Sequence, residues 1–383
     1  MTAWIISLLA LALAAASAVA QPVVVGAVVS ESGSHAAAAT QYRNALLLWQ
    51  EEINAAGGLL GKPVELRLAD DGSEGARAAS AYVELVREGA GVLIGPYGSA
   101  ATLAATAEAE RLRRVMLNAA GPSLQVHKRA PRYVFQTVAP YSAYAEGPLR
   151  AAAAAGVKSL YILGRDDAAS REMAEAAQVQ AARLGLKVAL VEVYPRSTVD
   201  FLPQLYQAMG ADADGWIAFG DARDAAEMVK TFKRHGFAPH LFYARGASDA
   251  AFVDRVGQDA EFTLASSEYD PRFATAGNSS FVRAYRLKWA TPPGPLAAAG
   301  YAAGQVLAAA VARAGTAEPE KLRAALAALE ADTLLGTYRV DPATGAQLGM
   351  QPRLVQVLKG RASPVAADAV KPYPQWDERV PLQ

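Results

Sequence analysis

The stretch VLIGPYGSAAT, Val92–Thr102, passes from an apolar β-branched run through a Gly-Pro-Tyr-Gly-Ser turn into an alanine-rich helical pattern. A strand, a glycine-bearing turn and a helix start leave free backbone N–H groups at the positive end of a helix dipole, which suits an anion. The turn has no lysine for a phosphate, so a carboxylate is the better fit. Ser99 stands where the helix begins, as a helix cap, as an anion ligand, or as both.

Outward from this turn, strand and helix patterns alternate. VVVGAVV (Val23–Val29) precedes the amphipathic AAATQYRNALLLWQEEINAAGG; VELRLADD, a helix through ARAASAYVELVREG, GVLIG and the helix after Ser99 follow. That alternation predicts an α/β fold with a parallel sheet covered by helices on both faces. The pattern restarts with SLYILG (Ser159–Gly164), a helix near Ser170–Leu184, KVALVEVY, a helix over Phe201–Met209, WIAFG, a helix over Asp224–His235 and HLFYAR. Two series predict two Rossmann-like lobes. Beyond SSEYDPRF, helices near Phe281–Trp289, Ala297–Ala314 and Pro319–Glu330 and short strands in LGTYRV and RLVQVLKG complete the lobes already begun.

The 383 residues suffice for two cores, and Lys plus Arg equals Asp plus Glu at 37 each, so no global field attracts nucleic acid or an acidic membrane. WIISLLALALAAASAVA ends in Ala18-Val19-Ala20, the small-x-small pattern cut by signal peptidase, so residues 1–20 are expected to be a signal peptide and the mature chain to begin at Gln21. After residue 21 no stretch is expected to span a bilayer. The chain has no cysteine, which excludes disulfides, thiolate metal sites and a Cys nucleophile.

Catalytic chemistry is hard to assemble from what remains. GGLLGKPVE follows a helix and carries Pro63 where a phosphate loop needs Ser or Thr, so its glycines read as a helix C-cap. The histidines, His35, His127, His235 and His240, share no metal-binding spacing. Asp70-Asp71 ends a strand with carboxylates on opposite sides, suited to pinning a turn; in RDDAAS (Arg165–Ser170) an Asp or Ser reads as an N-cap. No catalytic residue, metal or cofactor is expected.

Parallel α/β sheets bind ligands at the carboxyl ends of their strands. Those ends are Ser30–Gly33, Gly95–Ser99 and Asn118–Gly121 in the first series, and Gly164–Ser170, Gly220–Asp221 and Ala244–Gly246 in the second. Two such edges would make a cleft able to close on a small molecule.

INAAGGLLGKPVELRLADD, then GVLIGPYGSAAT, FKRHGFAPHLFYARGAS and LLGTYRVDPATGAQLG together resemble the periplasmic binding proteins of branched-chain amino acid ABC importers, of the type I binding-protein fold. The resemblance implies three crossings between lobes, near Val138, Tyr269 and Gly345. Lobe 1 is then 21–138 plus 270–345, and lobe 2 is 139–269 plus 346–383. It implies a monomeric periplasmic protein that binds a small carboxylate-bearing ligand for ABC permease subunits, with no nucleic acid partner. A ligand-sensing module of the same fold is the second reading.

By that resemblance Ser99 grips the ligand carboxylate. The residues expected around the ligand are Ser32, Gly33, Tyr97, Gly98, Ser99, Asn118, Ala120, Gly121, Tyr141, Ser170, Asp221 and Arg245. Two departures stand out. The loop NAAGPS lacks the family's Thr, and Arg245 falls where the family has an acid for the ligand ammonium. Arg245 would repel an ammonium, so an aromatic or other acid without an α-amine, held between Ser99 and Arg245, is the preferred ligand, with Tyr97, Tyr141 and Tyr144 nearby. The alternatives are an Arg245–Asp221 pair of purely structural role, and an aliphatic amino acid with Asp221 as its ammonium partner.

Overall fold

A computed structural model describes residues 21–378; the expected signal peptide of residues 1–20 lies outside them. Along the chain β1 (Val23–Val29), α1 (Ala36–Ala55), β2 (Val64–Asp70), α2 (Gly75–Arg87), β3 (Val92–Ile94), α3 (Ser99–Leu112), β4 (Val115–Asn118) and β5 (Val134–Gln136) come first. Next are α4 (Glu146–Ala154), β6 (Ser159–Arg165), α5 (Ala168–Arg183), β7 (Lys187–Tyr194), α6 (Leu202–Gly210), β8 (Gly215–Phe219), α7 (Ala222–Arg234), β9 (Leu241–Ala244), α8 (Ala250–Val256) and β10 (Leu264–Ser267). Then follow α9 (Asn278–Trp289), α10 (Pro295–Ala314), α11 (Pro319–Ala327), β11 (Ala331–Thr333), β12 (Gly336–Tyr338), β13 (Arg353–Leu358) and β14 (Arg361–Pro364). The chain divides into two compact units. Among the described residues, one is 21–121, Val126–Thr137 and Ala276–Gly345; the other is Pro122–Gln125, Val138–Thr275 and 346–378.

The first unit holds a parallel five-stranded sheet in the order β2-β1-β3-β4-β5. Its middle strands are short continuous apolar runs, as a sheet covered on both faces requires. On one face α1 buries Tyr42, Leu46 and Trp49, at helical spacing, against α10. The two helices approach closely because α10 has glycine at the contact: a Cβ on Gly304 would stand 2.3 Å from the Trp49 ring. On the other face Ala78, Tyr82 and Leu85 of α2 and Ala101, Ala105 and Ala109 of α3 pack over Leu93 and Met116.

The second unit holds a seven-stranded sheet in the order β14-β13-β10-β9-β8-β6-β7. Strand alternation separates two cores. Tyr161, Trp216 and Phe242 join Phe232 of α7 on one side; Leu160, Ile217, Tyr243 and Leu264 join Tyr144 and Leu149 on the other.

Several expectations need correction. The second sheet is mixed, because β13 and β14 enter antiparallel. Strands β5, β10, β11 and β14 and helix α8 were not anticipated; they are three to seven residues long, too short to show a period. Helix α11 ends at Ala327, not Glu330. Helix α10 is long and apolar enough to cross a membrane, contrary to expectation, yet 61% of its apolar window is buried in the protein, which is how a core helix behaves.

Candidate functional site

In the first unit, the carboxyl ends of β1 and β2 are tied together. The Ser32 amide and hydroxyl donate to the Asp70 carboxylate at 3.2 and 2.6 Å, and the Ser73 hydroxyl donates to the Ser32 carbonyl at 2.8 Å. These bonds, the Ser32 hydroxyl first and then the Gly72 amide, hold the Asp70 carboxyl below its ordinary range. Asp71 accepts from the Ser73 amide at 2.8 Å, so both aspartates pin the turn. Gly33 has φ of 82°, and a Cβ there would lie 2.3 Å from the Gly72 carbonyl oxygen; only glycine fits.

The Val92–Thr102 turn is braced from below and beside. Tyr42 and Tyr82 donate to the carbonyls of Gly95 and Ile94 at 2.9 and 2.5 Å. The Gly98 amide donates to the Ala120 carbonyl at 3.0 Å, joining this turn to the next. Gly98, with φ of 92°, is the N-cap of α3, and Ser99 is its first helical residue. The capping reading of Ser99 is thereby corrected: the cap position belongs to Gly98. The Thr102 amide returns to Gly98, whereas those of Ala100 and Ala101 have no acceptor among the described residues. Tyr97 is half-buried, with its ring edge-on to His35 at 5.1 Å.

The Asn118–Gly121 loop is closed on itself. The Asn118 side chain accepts from the Gly121 amide at 2.9 Å and donates to its carbonyl at 2.8 Å. It also meets His127 Nε2 at 3.3 Å, while His127 Nδ1 lies 2.9 Å from the Thr344 carbonyl. That carbonyl can only accept, so Nδ1 carries the proton and Nε2 accepts from Asn118. Burial pushes the His127 pKa down. Ala120 and Gly121 are buried, and a Cβ on Gly121 would come 2.4 Å from the Thr102 hydroxyl oxygen.

In the second unit, Ser170 is buried and its amide and hydroxyl both donate to Asp167, the N-cap of α5, at 2.9 and 3.0 Å. Its polar groups are absorbed by the cap. Asp221 caps α7 through the Asp224 amide at 3.0 Å and is paired with Arg165. Arg165 also lies 3.7 Å from the buried Asp224, at the same carboxylate oxygen that accepts from the Tyr194 hydroxyl at 3.0 Å. Burial, then the adjacent Asp221 charge, raise the Asp224 pKa. The proposed Arg245–Asp221 pair is therefore corrected: Asp221 belongs to Arg165.

Arg245 begins the 3-10 turn after β9. Its guanidinium lies over the ring of buried Tyr144, 5.5 Å from the centroid, and its Nε is buried without an acceptor. Among the described residues no acidic side chain pairs with it. The turn is fixed by Gly246, where a Cβ would fall 2.2 Å from the Asp221 carbonyl carbon and oxygen. Tyr141 is half-buried in the 3-10 turn before α4.

Two residues escaped the sequence reading. Arg165 looked like a strand end, with nothing local to announce its partner 56 positions away. Glu268 follows β10, a strand too short and too polar to be recognised; burial pushes its carboxyl up to about 7.

The family model for periplasmic binding proteins matches residues 22–362. An amino acid binding protein of Pseudomonas aeruginosa is 25% identical over 332 residues, which cover 83% of this chain and 86% of that protein. An ABC transporter substrate-binding protein from Desulfitobacterium hafniense has a similar structure, with a TM-score of 0.76 at 24% identity over 90% of this chain and all of the other. A solute-binding protein of an ABC transporter from Rhodopseudomonas palustris, in complex with 3,4-dihydroxybenzoic acid, gives 0.72 at 23% identity over 91% and 98%.

Proposed function

Since the chain belongs to the periplasmic binding protein family, whose members bind small molecules and deliver them to ABC permeases, we propose that it is the extracytoplasmic solute-binding component of an importer for a carboxylate-bearing ligand. It acts as a monomer, without catalysis, after a signal peptide has been removed before Gln21.

One observation carries the choice of ligand. Arg245 is a permanent cation with no acid beside it, at a strand end where this fold takes ligands. A cation left unpaired in a partly buried site is costly, and a ligand carboxylate relieves that cost with a charge-assisted bond. Asp221, the acid that could have received an α-ammonium, is occupied by Arg165. An acid without an α-amine therefore fits better than leucine or valine. The aromatic acid bound by the R. palustris protein supports this class. In the first unit, the α3 amides and Ser99 offer a second set of donors for an anion.

Mass spectrometry of the small molecule released on denaturing freshly purified protein tests the reading. An amine-free carboxylic acid is expected. Release of a branched-chain amino acid would refute the ligand class, and turnover of the ligand by the protein would refute the binding role.

A further inference from the structure

We propose that Tyr144 is a positioning residue for ligand binding: its ring is the platform that seats the Arg245 guanidinium before a ligand arrives, so that a carboxylate is taken in two hydrogen bonds at the guanidinium edge. This rests on the assignment of the ligand carboxylate to Arg245.

The Arg245 guanidinium carbon stands over the Tyr144 ring, 5.5 Å from its centroid. A partly buried arginine fork is commonly oriented by an acid, and among the described residues none pairs with this one. The negative face of an aromatic ring attracts a cation at this distance. That face takes the place of the missing carboxylate as the orienting group.

The platform is itself held firmly. Tyr144 lies in the 3-10 turn Tyr141–Ala145 and packs in one core with Leu149, Leu160 and Ile162. The turn is tied down at three points: the Tyr141 amide donates to the Pro122 carbonyl at 3.1 Å, the Ala143 amide to the Pro140 carbonyl at 3.0 Å, and the Gln180 side-chain amide to the Ser142 carbonyl at 2.8 Å. With 3% of its surface exposed, Tyr144 has almost nothing to offer a ligand directly. It acts through Arg245. The backbone of Arg245 is constrained as well, since Gly246 admits no side chain against Asp221 and the Ser248 hydroxyl donates to the Arg245 carbonyl at 3.2 Å.

The consequence for binding is both entropic and geometric. A free arginine loses rotamer freedom when it closes on a ligand, and one already seated loses less. With one face of the guanidinium against Tyr144, its N–H edges remain for the ligand, and these match the two oxygens of a carboxylate.

Calorimetric titration of benzoate into the wild type, Arg245→Met, Tyr144→Phe and Tyr144→Leu, each verified as folded by its melting curve, tests this. Tyr144→Phe keeps the ring face and should bind as the wild type does. Tyr144→Leu keeps an apolar side chain without a ring and should bind about fivefold to tenfold more weakly. A loss in Tyr144→Phe at least as large as that in Tyr144→Leu, or no loss in Tyr144→Leu, overturns the inference while Arg245 stands. If Tyr144→Leu does not fold, Tyr144→3,4,5-trifluorophenylalanine replaces it, because it keeps the shape of the ring and withdraws the negative charge from its face. Its affinity should fall below that of Tyr144→Phe, and equal affinity overturns the inference. Wild-type affinity in Arg245→Met, or no benzoate binding by the wild type, overturns the assignment of the carboxylate to Arg245 as well.

Discussion

Arg165, at the end of β6, holds the carboxylate of Asp221, at the end of β8, and leaves Arg245 on the other side of β8 without an acid. On the proposed reading, the arginine that Asp221 serves decides which class of ligand the second unit prefers. Replacement of Arg165 by methionine leaves Asp221 unpaired and removes the cation beside buried Asp224. The expected loss of stability is about 1–3 kcal/mol, less than for a fully buried pair because Asp221 is partly exposed. Urea unfolding measures it; an unchanged midpoint would mean that the pair is not a structural element.

Ser99→Ala should weaken ligand binding by about 1.5–3 kcal/mol, the scale of a hydrogen bond to a charged group. Its melting temperature should barely move, because Gly98 and not Ser99 occupies the cap of α3. Unchanged affinity in calorimetry would remove Ser99 from the site.

Gly246→Ala should cost about 2–4 kcal/mol, because the added Cβ overlaps the backbone of Asp221 and the turn bearing Arg245 must move. Melting curves and ligand titration should both show the damage. Wild-type behaviour in both would show that the turn can yield.

Two groups give stability opposite slopes with pH. Glu268 keeps its proton up to about 7 in the folded chain, against an ordinary 4.5, so the native state binds more protons across that window and stability falls as pH rises through it. Glu268→Gln should remove this fall. His127 has its pKa lowered from 6.5 by burial; the unfolded chain takes the proton first, and stability falls as pH drops below about 6.5. His127→Gln should flatten that side. Chemical denaturation at several pH values, wild type against each variant, checks both directions.

Long apolar runs and amphipathic helices made the alternating architecture legible: β1, β6 and α1 announce themselves by period. The glycines at 33, 98 and 246 sat in the turns that were singled out. What the sequence concealed is of two kinds. Strands such as β5 and β10 are held in place by neighbours already formed, so their own residues carry little pattern. Side-chain partnership across the sheet is equally silent: Asp221 is equidistant, in strand order, from the strands of Arg165 and Arg245, and only the folded unit shows which arginine it takes. Ser170 and Asn118, both at strand ends, turned their polar groups into local caps and turns, a use that strand position alone does not distinguish from ligand contact.

Calorimetric titration of benzoate and of leucine into the wild type and into Arg245→Met tests the central claim most directly. The account predicts that benzoate binds the wild type, that it binds Arg245→Met at least about thirtyfold more weakly, as loss of a charged hydrogen bond of ~2 kcal/mol requires, and that leucine binds neither. Tight leucine binding, unaffected by the loss of Arg245, would contradict it.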